Sequence, residues 1–175
     1  MINCIDLNLQ TNPLREGLDI NSFGTASHTK ISLTDINPDL ISFLATLKIT
    51  IAWAELFYTE PFAFTGIHID NFGGDYTKLN YIFGGRNSYM CWWKPKLNAP
   101  MNRCKTIVDT NYIGFKPEEV DLIDQQPVKF PSIVQVGIPH NIQNFEEPRY
   151  CLSLVLLNST RLTMAKSIEL FKQYL

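Results

Sequence analysis

Apolar and polar positions alternate with period two through most of this chain, and only two stretches take up the helical period of 3.6. Ile5, Leu7 and Leu9 alternate with polar neighbours, which predicts an edge strand within Ile2 to Leu9. Lys30 to Ile36 predicts a short strand. Asn37-Pro38 then opens a helix, with Asn as N-cap and Pro at the first helical position, and Leu40, Phe43, Leu44 and Leu47 form its apolar face. From Ile49 to Tyr58 the residues are β-branched and aromatic, as in a central strand, and Glu60-Pro61 ends it. Further strands are predicted at Phe62 to Asp70, Tyr76 to Phe83, Ser88 to Trp93, Ser132 to Gly137, His140 to Phe145 and Arg149 to Leu157. Glycine-rich or proline-containing turns join them at 71–75, 84–87 and 144–148.

Between Lys94 and Val128 the pattern breaks down around Pro95, Pro100, Pro117 and Pro127. A strand within Thr106 to Phe115 and a short strand or turn at Glu118 to Ile123 are expected there. An irregular insertion of this length is either a lid or substrate-binding loop, or a surface excursion without a role. The chain closes on a helix expected from about residue 160 to 175, its stripe formed by Met164, Ile168, Phe171 and Leu175 with Ala165 beside them. Leu162 and Leu170 fall off that stripe. Many strands with short turns predict an antiparallel sandwich or barrel, and 175 residues without internal repeats predict one domain.

Composition narrows the class of protein. Hydrophobic residues make up 45% of the chain and charged residues 18%, enough apolar material for a full core and too little charge for disorder. A formal net charge of −2 supplies no basic field for nucleic acid or acidic membranes. Cys4, Cys91, Cys104 and Cys151 form no C-x-x-C pair and are expected to be reduced and packed. The first residues lack a basic region followed by an apolar one, and no apolar run approaches the ~18 residues of a membrane span. A soluble cytoplasmic domain is expected.

Its chemistry centres on Gly66-Ile67-His68-Ile69-Asp70-Asn71. Residues i and i+2 of a strand share a face, so His68 and Asp70 project together while Ile67 and Ile69 pack the other way. That pair is either a simple His–Asp hydrogen bond or part of a metal site. His140 lies far downstream where a buried strand bends at Pro139. Two imidazoles and one carboxylate on one face of a metal suit a non-haem Fe(II) site, although zinc sites also use mixed ligands. Arg149 begins the next strand and is expected to return alongside the His140 strand, with Cys151, Ser153 and Val155 on its face. A guanidinium there suits a dicarboxylate; the alternative is a surface arginine paired with Glu146 or Glu147. Asn80 could hydrogen-bond the same ligand. Trp92 and Trp93 face opposite ways, one into the core and the other toward a substrate pocket. His28 is expected to be an ordinary loop or strand histidine. Arg86 and Asn87 are expected to be solvated in their turn, and Lys96, Arg103 and Lys105 either solvated or facing an anionic substrate.

The order His68-x-Asp70, a distant His140 and then Arg149 resembles the Fe(II)/2-oxoglutarate-dependent oxygenase superfamily, in particular a group of short members. Leu79-Asn80-Tyr81-Ile82, Asn87, Trp92-Trp93 and the ending Val134-Gln-Val-Gly-Ile-Pro-His140 with Pro148-Arg149-Tyr-Cys-Leu-Ser153 carry the likeness. It spans about residues 37–157. The resemblance implies a double-stranded β-helix, a distorted cupin-like jelly roll with flanking helices. It implies Fe(II) held by His68, Asp70 and His140, and 2-oxoglutarate held by Arg149 with Ser153 and Asn80. It implies hydroxylation of a substrate C–H with dioxygen, releasing succinate and carbon dioxide. Many members carry Ser or Thr two residues after the arginine, where this chain has Cys151. Two other readings stand beside this one: a cupin-like metalloenzyme of another type, which would usually show a His-x-His pair, and a non-catalytic jelly-roll binding module.

Overall fold

In a computed structural model describing residues 2–71, 73–129 and 131–175, the chain is mainly β. The strands in chain order are β1 (Cys4–Asp6), β2 (His28–Ile31), β3 (Thr50–Thr59), β4 (Ile67–Asp70), β5 (Thr77–Gly84), β6 (Ser88–Pro95), β7 (Asn102–Lys105), β8 (Asn111–Phe115), β9 (Val120–Gln126), β10 (Ser132–Gln135), β11 (His140–Asn144), β12 (Arg149–Asn158) and β13 (Thr160–Arg161). Two helices, α1 (Pro38–Thr46) and α2 (Met164–Phe171), flank them. Among the described residues one antiparallel sheet has the order β1-β10-β5-β12-β3-β2, with β13 on β12. The other has the order β7-β8-β4-β11-β6-β9. The architecture is compatible with a β-sandwich or jelly roll.

Side-chain alternation decides what each face of the larger sheet does. Leu152, Leu154 and Leu156 of β12 join Leu40 and Leu44 of α1 and Phe171 of α2 in the main core. Burying each such side chain stabilises the fold by ~2 kcal/mol. Asn37 caps α1 through its side chain onto the Asp39 amide, with Pro38 in the first turn. The opposite face of β12 turns toward the smaller sheet, where Trp92 is fully buried and its indole N–H donates to the Gln135 carbonyl at 2.8 Å.

Several expectations change in detail. The strand expected over Lys30 to Ile36 is β2, displaced toward the N-terminus and followed by a 3-10 turn at Leu33–Asp35. Phe62 lies outside β4, exposed and in the left-handed region at φ 57°; only an isolated bridge from Phe64 to Gln143 precedes the strand. The turn expected at 71–75 contains residue 72, which lies outside the described residues. The C-terminal helix starts at Met164, capped by Thr163, because Thr160 and Arg161 extend the larger sheet as β13. Leu162 therefore packs in the core ahead of the helix, Ala165 is exposed, and so is Leu175.

The largest correction concerns 94–128. Beyond the strands expected within Thr106 to Phe115 and at Glu118 to Ile123, which correspond to β8 and β9, the stretch is regular: β7 and β8 form a hairpin that extends the smaller sheet past β4, and β9 pairs with β6. Its prolines fall between the strands or at their ends, where a missing N–H costs no ladder bond. All four cysteines are free, and no described helix is long and apolar enough to cross a membrane.

Candidate metal centre

β4 and β11 pair antiparallel with His140 directly opposite His68. Period-two geometry adds Asp70 to the same face, while Ile67 and Ile69 pack on the other with Ile113 and Phe115. The imidazole rings lie 4.5 Å apart between centroids. One ligand atom from each of His68, Asp70 and His140 falls within 4.8 Å of the others, so the three could hold a metal ion. Both rings are oriented by their own backbone. Nδ1 of His68 pairs with the Gly66 carbonyl at 2.8 Å, and Nδ1 of His140 with the Ile138 carbonyl at 2.9 Å. Each Nδ1 thereby carries the proton, and each Nε2 is the ring atom that could bind a metal.

The bend that presents His140 depends on Gly137. A Cβ there would sit 1.5 Å from the Gly74 carbonyl oxygen, so only glycine lets the two loops cross. The crossing is tied by a Gly74 amide bond to the Gly137 carbonyl at 3.2 Å. Nearby, the Asp70 amide donates to the Val136 carbonyl at 3.1 Å. The Tyr76 hydroxyl donates to the Asp70 carbonyl, which further fixes the ligand strand.

Arg149 reaches the same cavity by a route the sequence did not indicate. β12 does not pair with β11; it belongs to the larger sheet, between β3 and β5, because the 145–148 turn carries the chain across the sandwich. Arg149 therefore faces His140 from the opposite sheet rather than from a neighbouring strand. It is not a surface residue paired with Glu146 or Glu147. Only 2% of it is exposed, and those two glutamates bind Asn87 and the Arg86 amide. Gly85 lies against its stem, where a Cβ would meet the Arg149 Cγ at 2.8 Å.

A cavity of about 90 Å³ runs between the triad and Arg149, also lined by Lys78, Asn80, Cys151 and Ser153. Ser153 donates to the Asn80 side chain at 2.7 Å, so these two expected ligand contacts are held as a pair. Nε of Arg149 has no hydrogen-bond partner, and among the described residues no carboxylate forms a salt bridge with its guanidinium. Burial pulls its pKa down. A buried guanidinium short of an anion fits a carboxylate ligand. Cys151, two residues after Arg149, is a buried thiol pushed up in pKa by desolvation.

The electrostatics favour the metal-binding form at Asp70 and His140 and oppose it at His68. Burial, reinforced by His68, holds His140 down to about 4. Burial would raise the Asp70 pKa, but the Lys78 ammonium together with His68 and His140 outweighs it and holds the carboxyl well below its usual range. His68 is desolvated too, yet Asp70 at 3.4 Å lifts its pKa above the ordinary value.

Lys78, Glu55 and His28 were not expected here. The Lys78 Nζ lies 2.7 Å from Asp70 Oδ2 and 3.0 Å from Glu55 Oε2. Glu55 Oε1 lies 3.2 Å from Nε2 of His28, which stacks on Phe57. His28 is thus a buried strand residue with a charged partner. A signal existed: Glu55 is the one charged residue in Ile49 to Tyr58, and Lys78 shares a strand face with Asn80. Trp92 and Trp93 do not line the cavity. Trp92 is core, and Trp93 packs on the other side with its indole N–H on Asn141 at 2.9 Å. A groove of about 570 Å³ adjoins the site along the β7–β8 hairpin, bordered by Lys105, Ile107, Tyr112 and Phe115. Of the surface residues expected to be solvated or substrate-facing, Lys105 pairs with Asp109 at 2.6 Å beside that groove, and Lys96 with Asp121 at 3.7 Å away from it.

No family model matches this chain, and no curated protein sequence matches it.

Proposed function

We propose that this chain is an Fe(II)- and 2-oxoglutarate-dependent oxygenase that hydroxylates a C–H bond of a substrate taken up in the groove beside β7 and β8. One observation carries the reading: the His68, Asp70 and His140 cluster and the buried Arg149 line one cavity from opposite sheets. The donor set of two imidazoles and a carboxylate suits Fe(II) and leaves coordination positions open. The strand order supports a double-stranded β-helix, with β10-β5-β12-β3 in one sheet facing β4-β11-β6-β9 in the other.

In this mechanism Nε2 of His68, Nε2 of His140 and one oxygen of Asp70 hold the iron. Arg149 pairs with the distal carboxylate of 2-oxoglutarate, and Asn80 and Ser153 form the wall between them. When bound, iron and cosubstrate supply the oxidising chemistry, with succinate and carbon dioxide as the products of the cosubstrate. The protein's part is to orient both and keep water out: Met90, Val136 and Ile142 line the cavity with apolar surface.

Anaerobic addition of Fe(II) and 2-oxoglutarate tests the proposal. A visible charge-transfer band is expected in the native protein, absent in His140→Ala and shifted to higher 2-oxoglutarate concentration in Arg149→Ala. Iron binding without 2-oxoglutarate dependence favours another metalloenzyme, and no metal binding favours a binding module.

A further inference from the structure

Lys78 is a buried cation that the proposed reaction does not use. It is 5% exposed and lies between Asp70 Oδ2 at 2.7 Å and Glu55 Oε2 at 3.0 Å. Glu55 is held in turn by His28 at 3.2 Å and by the Thr110 hydroxyl at 3.4 Å. The lysine is therefore positioned from behind by a chain that reaches β2 and the β8 end of the groove. Burying so many charges costs desolvation energy that apolar packing would avoid. Its geometry divides the two oxygens of Asp70. Oδ2 belongs to Lys78, and Oδ1 faces His68 at 3.4 Å.

We infer that Lys78 is a positioning residue of the metal site: it restricts Asp70 to one coordinating oxygen and makes metal binding depend on a bound dianion. This rests on the oxygenase reading above. In the neutral-imidazole form that can bind metal, Asp70 and Glu55 balance Lys78 and Arg149, so the site carries no net charge before a metal arrives. A divalent ion alone leaves two uncompensated positive charges in a largely buried site, beside a resident ammonium. A dicarboxylate on Arg149 restores neutrality. Metal and dianion therefore bind with positive coupling, and linkage requires each to tighten the other by the same factor. Without the Lys78 charge, metal alone binds more tightly and the coupling shrinks.

Calorimetric titration of Co(II), with and without 2-oxoglutarate, tests this in the native protein, in Lys78→Met and in Lys78→Gln. The glutamine keeps an N–H donor near both carboxylates and carries the test if the methionine variant fails to fold. Both variants are expected to bind Co(II) alone about tenfold more tightly than the native protein, with the enhancement by 2-oxoglutarate reduced by the same factor. In Lys78→Met the visible absorption of bound Co(II) is expected to weaken as the second Asp70 oxygen joins the metal. A lysine that merely props up the fold predicts the opposite sign, because structural damage loosens a metal site. Unchanged or weaker Co(II) binding with native 2-oxoglutarate enhancement overturns the role of Lys78 and leaves the oxygenase reading standing. Native protein that binds Co(II) with no enhancement by 2-oxoglutarate overturns both.

Discussion

His140 lies directly across the β4–β11 pair from His68, and the two rings turn the same nitrogen toward Asp70 because each Nδ1 is held by a carbonyl two residues earlier in its own chain. Two candidate ligands seventy-two positions apart in sequence are thus aligned by one register. Replacing any of the three residues removes a candidate ligand without opening the apolar core, since the triad lines a cavity, and loss of Asp70 leaves Lys78 paired with Glu55. His68→Ala, Asp70→Ala and His140→Ala are each expected to fold and to lose measurable Fe(II) binding by calorimetry.

Gly137→Ala is expected to be far more damaging than its distance from the ligand atoms suggests. The added methyl meets the Gly74 carbonyl oxygen at 1.5 Å, and backbone on both sides must move. A loss of at least ~2 kcal/mol is expected from urea denaturation. Gly66→Ala, where an added Cβ meets nothing within 4 Å, is the control and should stay within ~0.5 kcal/mol of native.

Arg149→Met should separate stability from binding. The guanidinium is buried with an unpartnered Nε and no salt-bridged carboxylate among the described residues, so in the empty protein little offsets the cost of burying the charge. The methionine variant is expected to match the native melting temperature or exceed it, by up to ~1 kcal/mol in stability. Thermal stabilisation by 2-oxoglutarate in the presence of Mn(II) should be lost.

Acid sensitivity should track Glu55. Burial pushes its pKa up, but the His28 hydrogen bond and Lys78 overcome this and hold it down to about 2, against an ordinary 4.5. A depressed carboxylate stabilises the fold fully above its unfolded pKa, and the contribution is lost as pH falls toward the folded one. The native protein should therefore lose up to ~3 kcal/mol through this group between about pH 4.5 and pH 2. Glu55→Gln should show a flatter stability profile across that window, measured by denaturant titration at each pH.

Much of the candidate cluster was legible because it depends on local rules. A strand puts His68 and Asp70 on one face whatever the tertiary fold, and the Asn37-Pro38 signal specifies a helix start from capping chemistry alone. Where Arg149 sits depends instead on which sheet β12 joins. That is decided by the packing of Leu152, Leu154 and Leu156 on the helices, a non-local matter. For the same reason 94–128 looked irregular: β7 and β9 are largely exposed, β8 is only five residues long, and β8 and β9 are defined by partners β4 and β6 far away in sequence. Lys78 and Glu55 escaped notice because each is an ordinary charged residue until the other is placed 3.0 Å away.

A crystal structure of the protein grown anaerobically with Mn(II) and 2-oxoglutarate tests the central claim most directly. The account predicts one metal ion bound by Nε2 of His68, Nε2 of His140 and a single oxygen of Asp70, with the distal carboxylate of 2-oxoglutarate on Arg149. Metal absent from this cluster, or 2-oxoglutarate bound away from Arg149, would contradict it.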